Sequence, residues 1–439
     1  MSTSAVRNDS TASPGGNRWL ILVAGVLVQL AIGAVYAWSV FAKAIQSHDA
    51  FGWSKAQASV PFEVAIGMIF VGSYIGGRIQ DRRGPRTVAL TGGVIYSLGV
   101  ILASFAGKDQ FWLLILGYGI IGGFGLGMAY IVPIAMLQKW FPDKPGLITG
   151  IAVAGFGFGA VITAPLGQRL IAGDPSMPTK AFLPLGIGYL VAVVIGASLF
   201  RNPPSGYRPP GMSEPAPGAA ATADAAVEAD FTAAEALGTR QWYFLTAILT
   251  LSVTAGISLI SVAAGSASDV AGYSAAAAAS LVGVLGLFNG GGRILWGWLS
   301  DRIGKMPAFM GILGIQGVCL LLIPHVASPI LFAVLAALVY TCYGGAFGTM
   351  PSTAGRFFGV RNAGAIYGLM LIGWSIGGIV GPLLISSLIG EQKAYTLGFT
   401  VVGIIALVGM ALPLVTKKPA PRTSTSAGSG APTAPASRH

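Results

Sequence analysis

Long apolar runs, each closed by a short polar or glycine-containing break, alternate along almost the whole chain. Twelve can be read: 18–42, 57–79, 86–107, 110–138, 145–171 and 181–200, then 242–266, 275–299, 306–325, 329–355, 363–389 and 394–416. Crossing the ~30 Å hydrocarbon core takes roughly 20 residues of helix, so each run predicts a membrane span. The first is longer than a signal-peptide core and lacks a small-residue cleavage site, which makes it span one. The pattern predicts an all-α membrane protein with twelve transmembrane helices.

Composition strengthens that reading. Of 439 residues, 54% are hydrophobic, 9% are charged and 64 are glycine. A soluble chain would be about one quarter charged, whereas small residues let membrane helices approach closely. Residues 1–17 and 417–439 have the polar, small-residue composition of disordered tails. Residues 201–241 form a cytoplasmic linker between bundles at 18–200 and 242–416. Within the linker, 203–229 is low in complexity, and "DFTAAEALGTRQWYF" predicts a short surface helix before span seven. Cys319 and Cys342 both fall inside spans and read as buried small apolar residues.

The net charge of +11 is unevenly shared. The side bearing both termini and the even-to-odd loops carries 19 Lys and Arg, against six on the other side. By the positive-inside rule both termini are cytoplasmic, in the cell inner (plasma) membrane. The surplus sets topology and requires no nucleic acid.

The halves repeat each other. "GGRIQDRRGPR" after span two returns as "WGWLSDRIGKM" after span eight, placing Asp81 and Asp301 220 residues apart. "KWFPDKPG" after span four is matched by "RFFGVRNAG" after span ten, and Pro165 of span five by Pro382 of span eleven. Two pseudo-symmetric six-helix halves indicate a duplicated transporter fold with its site near the midplane. These loops and the 6+6 layout resemble the major facilitator superfamily. "AVYAWSVF", "KWFPDKPGL", "NGGGR" and "PSTAGRFFG" are similar to its oxalate/formate antiporter and monocarboxylate transporter branch.

The most informative residue is Arg293, eight positions before Asp301 and therefore ~12 Å inside the membrane. A charge there costs ~2.5 kcal/mol or more and marks a functional site by default. The plain alternative is a side chain that snorkels to the headgroups. Asn289 lies one turn away on the same face. The resemblance implies that Arg293 receives the substrate carboxylate, for which a forked guanidinium is suited. It also places Met370 where oxalate-binding members carry a lysine. One fixed cation suits one carboxylate, which favours monocarboxylates over oxalate. Tyr36, Trp38, Tyr130, Phe156, Tyr343, Phe347 and Tyr367 match cavity-lining positions of the family, any one of which could equally be interhelix packing.

Asp81 with Arg82, Arg83 and Arg86, and Asp301 with Arg302 and Lys305, are expected to latch helix ends in one conformation and release them in the other. Glu63 and Asp269 fall near the outer rim, and no histidine lies at mid-membrane. No nucleotide loop, metal-spaced cluster or catalytic triad stands out, so an enzyme, a cofactor or ATP drive is not expected. The sequence therefore reads as a secondary carrier of small carboxylates, lactate, pyruvate or formate in class. Coupling is to protons or to anion exchange, and a lipid-embedded monomer is expected. An oxalate:formate-type exchanger is the nearest alternative. A non-transporting sensor of organic anions is a more distant one.

Overall fold

The computed structural model describes residues 17–204, 207–209, 230–389 and 395–419. Most of both tails and of the 203–229 tract lies outside these residues, as do residues 390–394. Twelve helices in the described residues are long and apolar enough to cross a membrane. Spans one to six are Arg18–Gln46, Ala56–Arg83, Pro85–Ala103, Phe111–Trp140, Pro145–Gly173 and Pro178–Ser198. Spans seven to twelve are Arg240–Ala271, Ala276–Ile303, Lys305–His325, Pro329–Phe358, Ala363–Ile389 and Tyr395–Val415. The expected short helix before span seven is present at Ala233–Leu237, opened by a Thr232–Glu235 capping box.

Local sequence explains where the helices start and stop. Ser54 accepts from the Gln57 amide while Gln57 returns a bond to Ser54, closing a capping box at span two. Ser274, Ser328 and Thr239 cap spans eight, ten and seven by accepting from a first-turn amide, without the return bond. Spans two and eight both end at a glycine with positive φ, Gly84 at 85° and Gly304 at 94°. Side chains rarely tolerate that conformation, so these glycines let the next helix start at once. As a result Asp81 and Asp301 sit in the last helical turn rather than in a loop.

Two spans are broken near mid-membrane. Span one changes to a 3₁₀ stretch over Gly33–Ala37, and span eleven is interrupted at Leu371, between Ala363–Met370 and Ile372–Ile389. Discontinuous helices of this kind surround the central sites of transporters, because freed backbone is tolerated only where protein or a cavity shields it.

The halves meet through glycines. A Cβ at Gly150 of span five would collide with the Arg293 carbonyl of span eight, and one at Gly77 of span two with Gly364 of span eleven. These backbone-to-backbone contacts lie towards the face bearing both chain ends, here called the terminal face. Further along the same helices, Gly67, Gly283 and Gly286 have nothing within 4 Å of an added Cβ. The bundle is therefore drawn together at its terminal face. Leucine at Gly77 or Gly150 is expected to wedge that face open. Spin labels in the 2–3 and 10–11 loops would report the change as a longer interloop distance, and unchanged distances would contradict it.

Candidate functional site

Arg293 is completely buried and does not snorkel to the headgroups. Its Nη1 donates to the Val153 carbonyl of span five at 3.1 Å, and its Nε to Asn289 Oδ1 at 3.4 Å. Nη2 has no partner. The guanidinium carbon lies 5.2 Å from the Phe347 ring centroid and 5.8 Å from that of Phe156. Those rings offset part of the cation's lost hydration. They leave it without a counter-anion, since none of the ion pairs among the described residues involves Arg293.

Phe156 is the hub of the surrounding wall. Its ring lies 5.1 Å from Tyr36, 5.0 Å from Tyr130 and 6.0 Å from Trp374. Phe347 joins through Trp374 at 5.0 Å and Tyr343 at 5.4 Å. The buried hydroxyls of Tyr130 and Tyr367 face each other, as do those of Tyr36 and Tyr343, but Tyr36, Tyr130 and Tyr367 make no hydrogen bond of good geometry. Orphaned polar groups in a dry interior are costly, each by ~1–3 kcal/mol, and mark a place where a ligand or water belongs. Met370 is fully buried at the break in span eleven. The structure thus brings together Arg293, Asn289, Tyr36, Tyr130, Phe156, Tyr343 and Phe347, with Tyr367 and Met370 buried on the neighbouring span.

Trp38 does not join them. Its indole N–H donates to the Ala58 carbonyl and its ring packs on Tyr118 and Phe182 inside the first half. The break in span one turns it away, as the 3₁₀ stretch ends one residue before it. Trp374 was missed in the sequence although it touches Tyr130, Phe156 and Phe347. Its spacing was available: it stands four residues after Met370 and seven after Tyr367, on one helical face. Gln29 was missed too; it is buried and donates to the Tyr130 carbonyl, helping to fix span four against span one.

At the terminal face both duplicated aspartates reach across to the other half. Asp301 Oδ1 accepts from the Gly146 amide at 3.0 Å and Oδ2 from Leu147 at 2.9 Å, at the N-terminus of span five. Asp81 Oδ2 accepts from the Ala365 amide at 2.9 Å, at the N-terminus of span eleven. Anionic caps on helix N-termini are favoured by unpaired N–H groups and the helix dipole. The two latches differ, however. Lys305 bonds to Asp301 Oδ1 at 2.7 Å and is held by Ser300 and Ser352, whereas the equivalent position four residues after Asp81 is Pro85. Asp81 Oδ1 is consequently buried without a partner. The expected arginine bridges do not form among the described residues. Arg302 lies over the Trp298 ring at 4.0 Å, and Arg82 and Arg86 are exposed. The aspartates meet backbone amides directly, leaving the arginines no carboxylate to join. Beneath Asp301 a cavity of about 560 Å³ opens between the halves, lined in part by Lys139, Asp143, Lys305 and Arg356.

Residues 19–382 match the Major Facilitator Superfamily. The chain belongs to that superfamily. It is 27% identical over 402 residues to the oxalate:formate antiporter of Oxalobacter formigenes, covering 90% of this chain and 91% of that one. It is 29% identical over 406 residues to monocarboxylate transporter 13 of Rattus norvegicus, covering 90% and 88%. In fold it is similar to the Escherichia coli fucose:proton symporter FucP, with a TM-score of 0.69 at 15% identity, covering 92% and 98%. This major facilitator protein is thus a multi-pass membrane transporter, and its buried arginine lies on the span-eight face that meets the opposite half.

The latches of this transporter should differ in what they contribute to stability. Asp301→Ala strands a buried Lys305 and is expected to cost about 3 kcal/mol, since breaking a buried pair leaves an uncompensated charge. Asp81→Ala removes only a longer-range attraction to the half-buried Lys139, with no direct ion pair lost, and should cost clearly less. Thermal unfolding in detergent compares the two; equal losses would contradict the asymmetry.

Proposed function

We propose that this transporter is a secondary carrier of small monocarboxylates, of the lactate, pyruvate and formate class, working by alternating access. The single observation that carries the reading is the buried guanidinium with Nη2 unpartnered. A carboxylate reaching it gains two charge-assisted N–H donors in a dry setting and supplies the missing counter-charge. The tyrosine hydroxyls nearby, which meet only one another, give the second oxygen a donor, and the aromatic wall suits a short apolar tail. Met370 leaves no second fixed cation on span eleven, so a dianion would keep one charge unmatched. The relatives' names, oxalate:formate antiporter and monocarboxylate transporter, support small organic anions as the substrate class.

The energy source is a proton gradient or exchange of one anion for another. Arginine does not release its proton in proteins, so in a symport the proton travels on another group or on the substrate acid. With 19 basic residues on the terminal side, that face is assigned to the cytoplasm of the cell membrane. The described state is then the one closed towards the cytoplasm, with Asp81 and Asp301 holding it shut. A single chain contains the whole site, consistent with a monomer. The oxalate:formate relative keeps exchange of a dicarboxylate as the second reading.

Proteoliposomes decide between these readings. Labelled lactate, pyruvate or formate is expected to enter, while oxalate is poorly transported; preferred oxalate uptake would overturn the monocarboxylate reading. Stimulation by internal substrate identifies exchange, and dependence on an imposed pH gradient identifies symport. Arg293→Lys is expected to lose most transport, on the order of tenfold or more, because a point charge does not reproduce the guanidinium fork. Met370→Lys is expected to raise binding of oxalate over that of monocarboxylates. No change in that ratio would contradict the one-cation argument.

A further inference from the structure

Span two carries a second cationic feature, on its outer side and separate from the carboxylate site. Tyr74, Arg78 and Arg82 follow one another at i, i+4 and i+8, and Ile75, Ile79 and Arg83 form the adjacent row. Together these six side chains line a groove of about 410 Å³. The two rows are graded along the helix axis. Their membrane-inward ends are Tyr74 and Ile75, and their terminal ends are Arg82 and Arg83, ~12 Å further on. Ile75 is exposed on the helix surface, as are all three arginines. Among the described residues, none of the three has an ion-pair partner.

An apolar slot that becomes cationic at headgroup depth matches one kind of occupant: an acyl chain ending in a phosphate. We propose that this groove holds an anionic phospholipid, its phosphate among Arg78, Arg82 and Arg83 and its chain along Ile75 and Ile79. Guanidinium forks suit phosphate oxygens, and basic pockets beside membrane helices at this depth select acidic headgroups. A soluble phosphate would use only part of the groove, because its apolar end at Tyr74 and Ile75 would stay uncovered. The position also gives the lipid an effect on gating. Arg82 directly follows Asp81, whose carboxylate caps span eleven. A phosphate that holds the arginines outward leaves that carboxylate to the Ala365 amide, so the lipid favours the state closed at the terminal face. The inference rests on the membrane fold and does not depend on which carboxylate is carried.

Native mass spectrometry of the full-length protein, titrated with phosphatidylglycerol or phosphatidylcholine, tests it. The unaltered chain is expected to bind phosphatidylglycerol roughly tenfold or more tightly, given the ~1 kcal/mol that each basic residue contributes near an anionic surface. Arg78→Gln with Arg83→Gln should abolish most of that preference. Arg201→Gln with Arg208→Gln removes equal charge from the same face, outside the groove, and should leave it intact. Equal loss in both variants would show a diffuse surface field and overturn the site. Equal affinity for the two lipids, or retention of the preference without the groove arginines, would overturn it as well. Competition by inorganic phosphate as effective as that by lipid would show a soluble-anion site instead. Single Arg78→Gln and Arg83→Gln variants carry the same comparison if the double variant is not monodisperse.

Discussion

A guanidinium held in the dry centre of a helical bundle without a counter-ion is the constraint on which the rest of the molecule depends. Arg293 is fully buried, and only Val153, Asn289 and two ring faces compensate it. Such a charge is tolerated in a membrane protein only where cavity or protein replaces water. Phe156 and Phe347 come from opposite halves and both lie close to the cation, so the charge sits on the seam that must part for transport. The broken helices then acquire a purpose. The 3₁₀ stretch of span one carries Tyr36 against Phe156, and the break at Leu371 directly follows the buried Met370.

The second constraint is closure. At the terminal face, glycines allow backbones of opposite halves to touch, and two aspartates cap helices across the seam. These contacts are many, short-ranged and separable, which suits a gate that opens as a rigid body. Gene duplication supplied the same framework twice but not the same chemistry. Lys305 neutralises one aspartate, while Pro85 leaves the other with a bare oxygen. The Asp81 side is accordingly the less fully bonded of the two, and it is also the side beside the arginine-lined groove.

Much of this was legible in the sequence, for identifiable reasons. Hydropathy over a bilayer thickness fixes twelve spans because every backbone group must be satisfied within its own helix. Arg293 stood out because a charge in an apolar run is expensive, and the paired aspartates because their loop motif recurs 220 residues on. What escaped depended on three-dimensional paths. Trp38 matched the expected aromatic set in the sequence, but a change from α to 3₁₀ pitch at Gly33, five residues earlier, rotated it into the first half. Trp374 looked like one more apolar residue until span eleven was seen to present Tyr367, Met370 and Trp374 along one stripe. The aspartates were expected to latch helix ends together with the arginines and the lysine beside them, and of those basic residues only Lys305 joins its aspartate. Both carboxylates otherwise cross the seam alone. They bond to amides, because the glycine turns at Gly84 and Gly304 set them against opposing helix ends that no local pattern reveals.

The central claim is that the unpartnered nitrogen of Arg293 receives the substrate carboxylate. The most direct measurement is an experimental structure of the transporter solved with saturating lactate. Lactate is expected between the halves, with a carboxylate oxygen about 3 Å from Arg293 Nη2 and its methyl group towards Phe156 and Trp374. Lactate bound only in the terminal-face cavity, with Nη2 still bare, would contradict it.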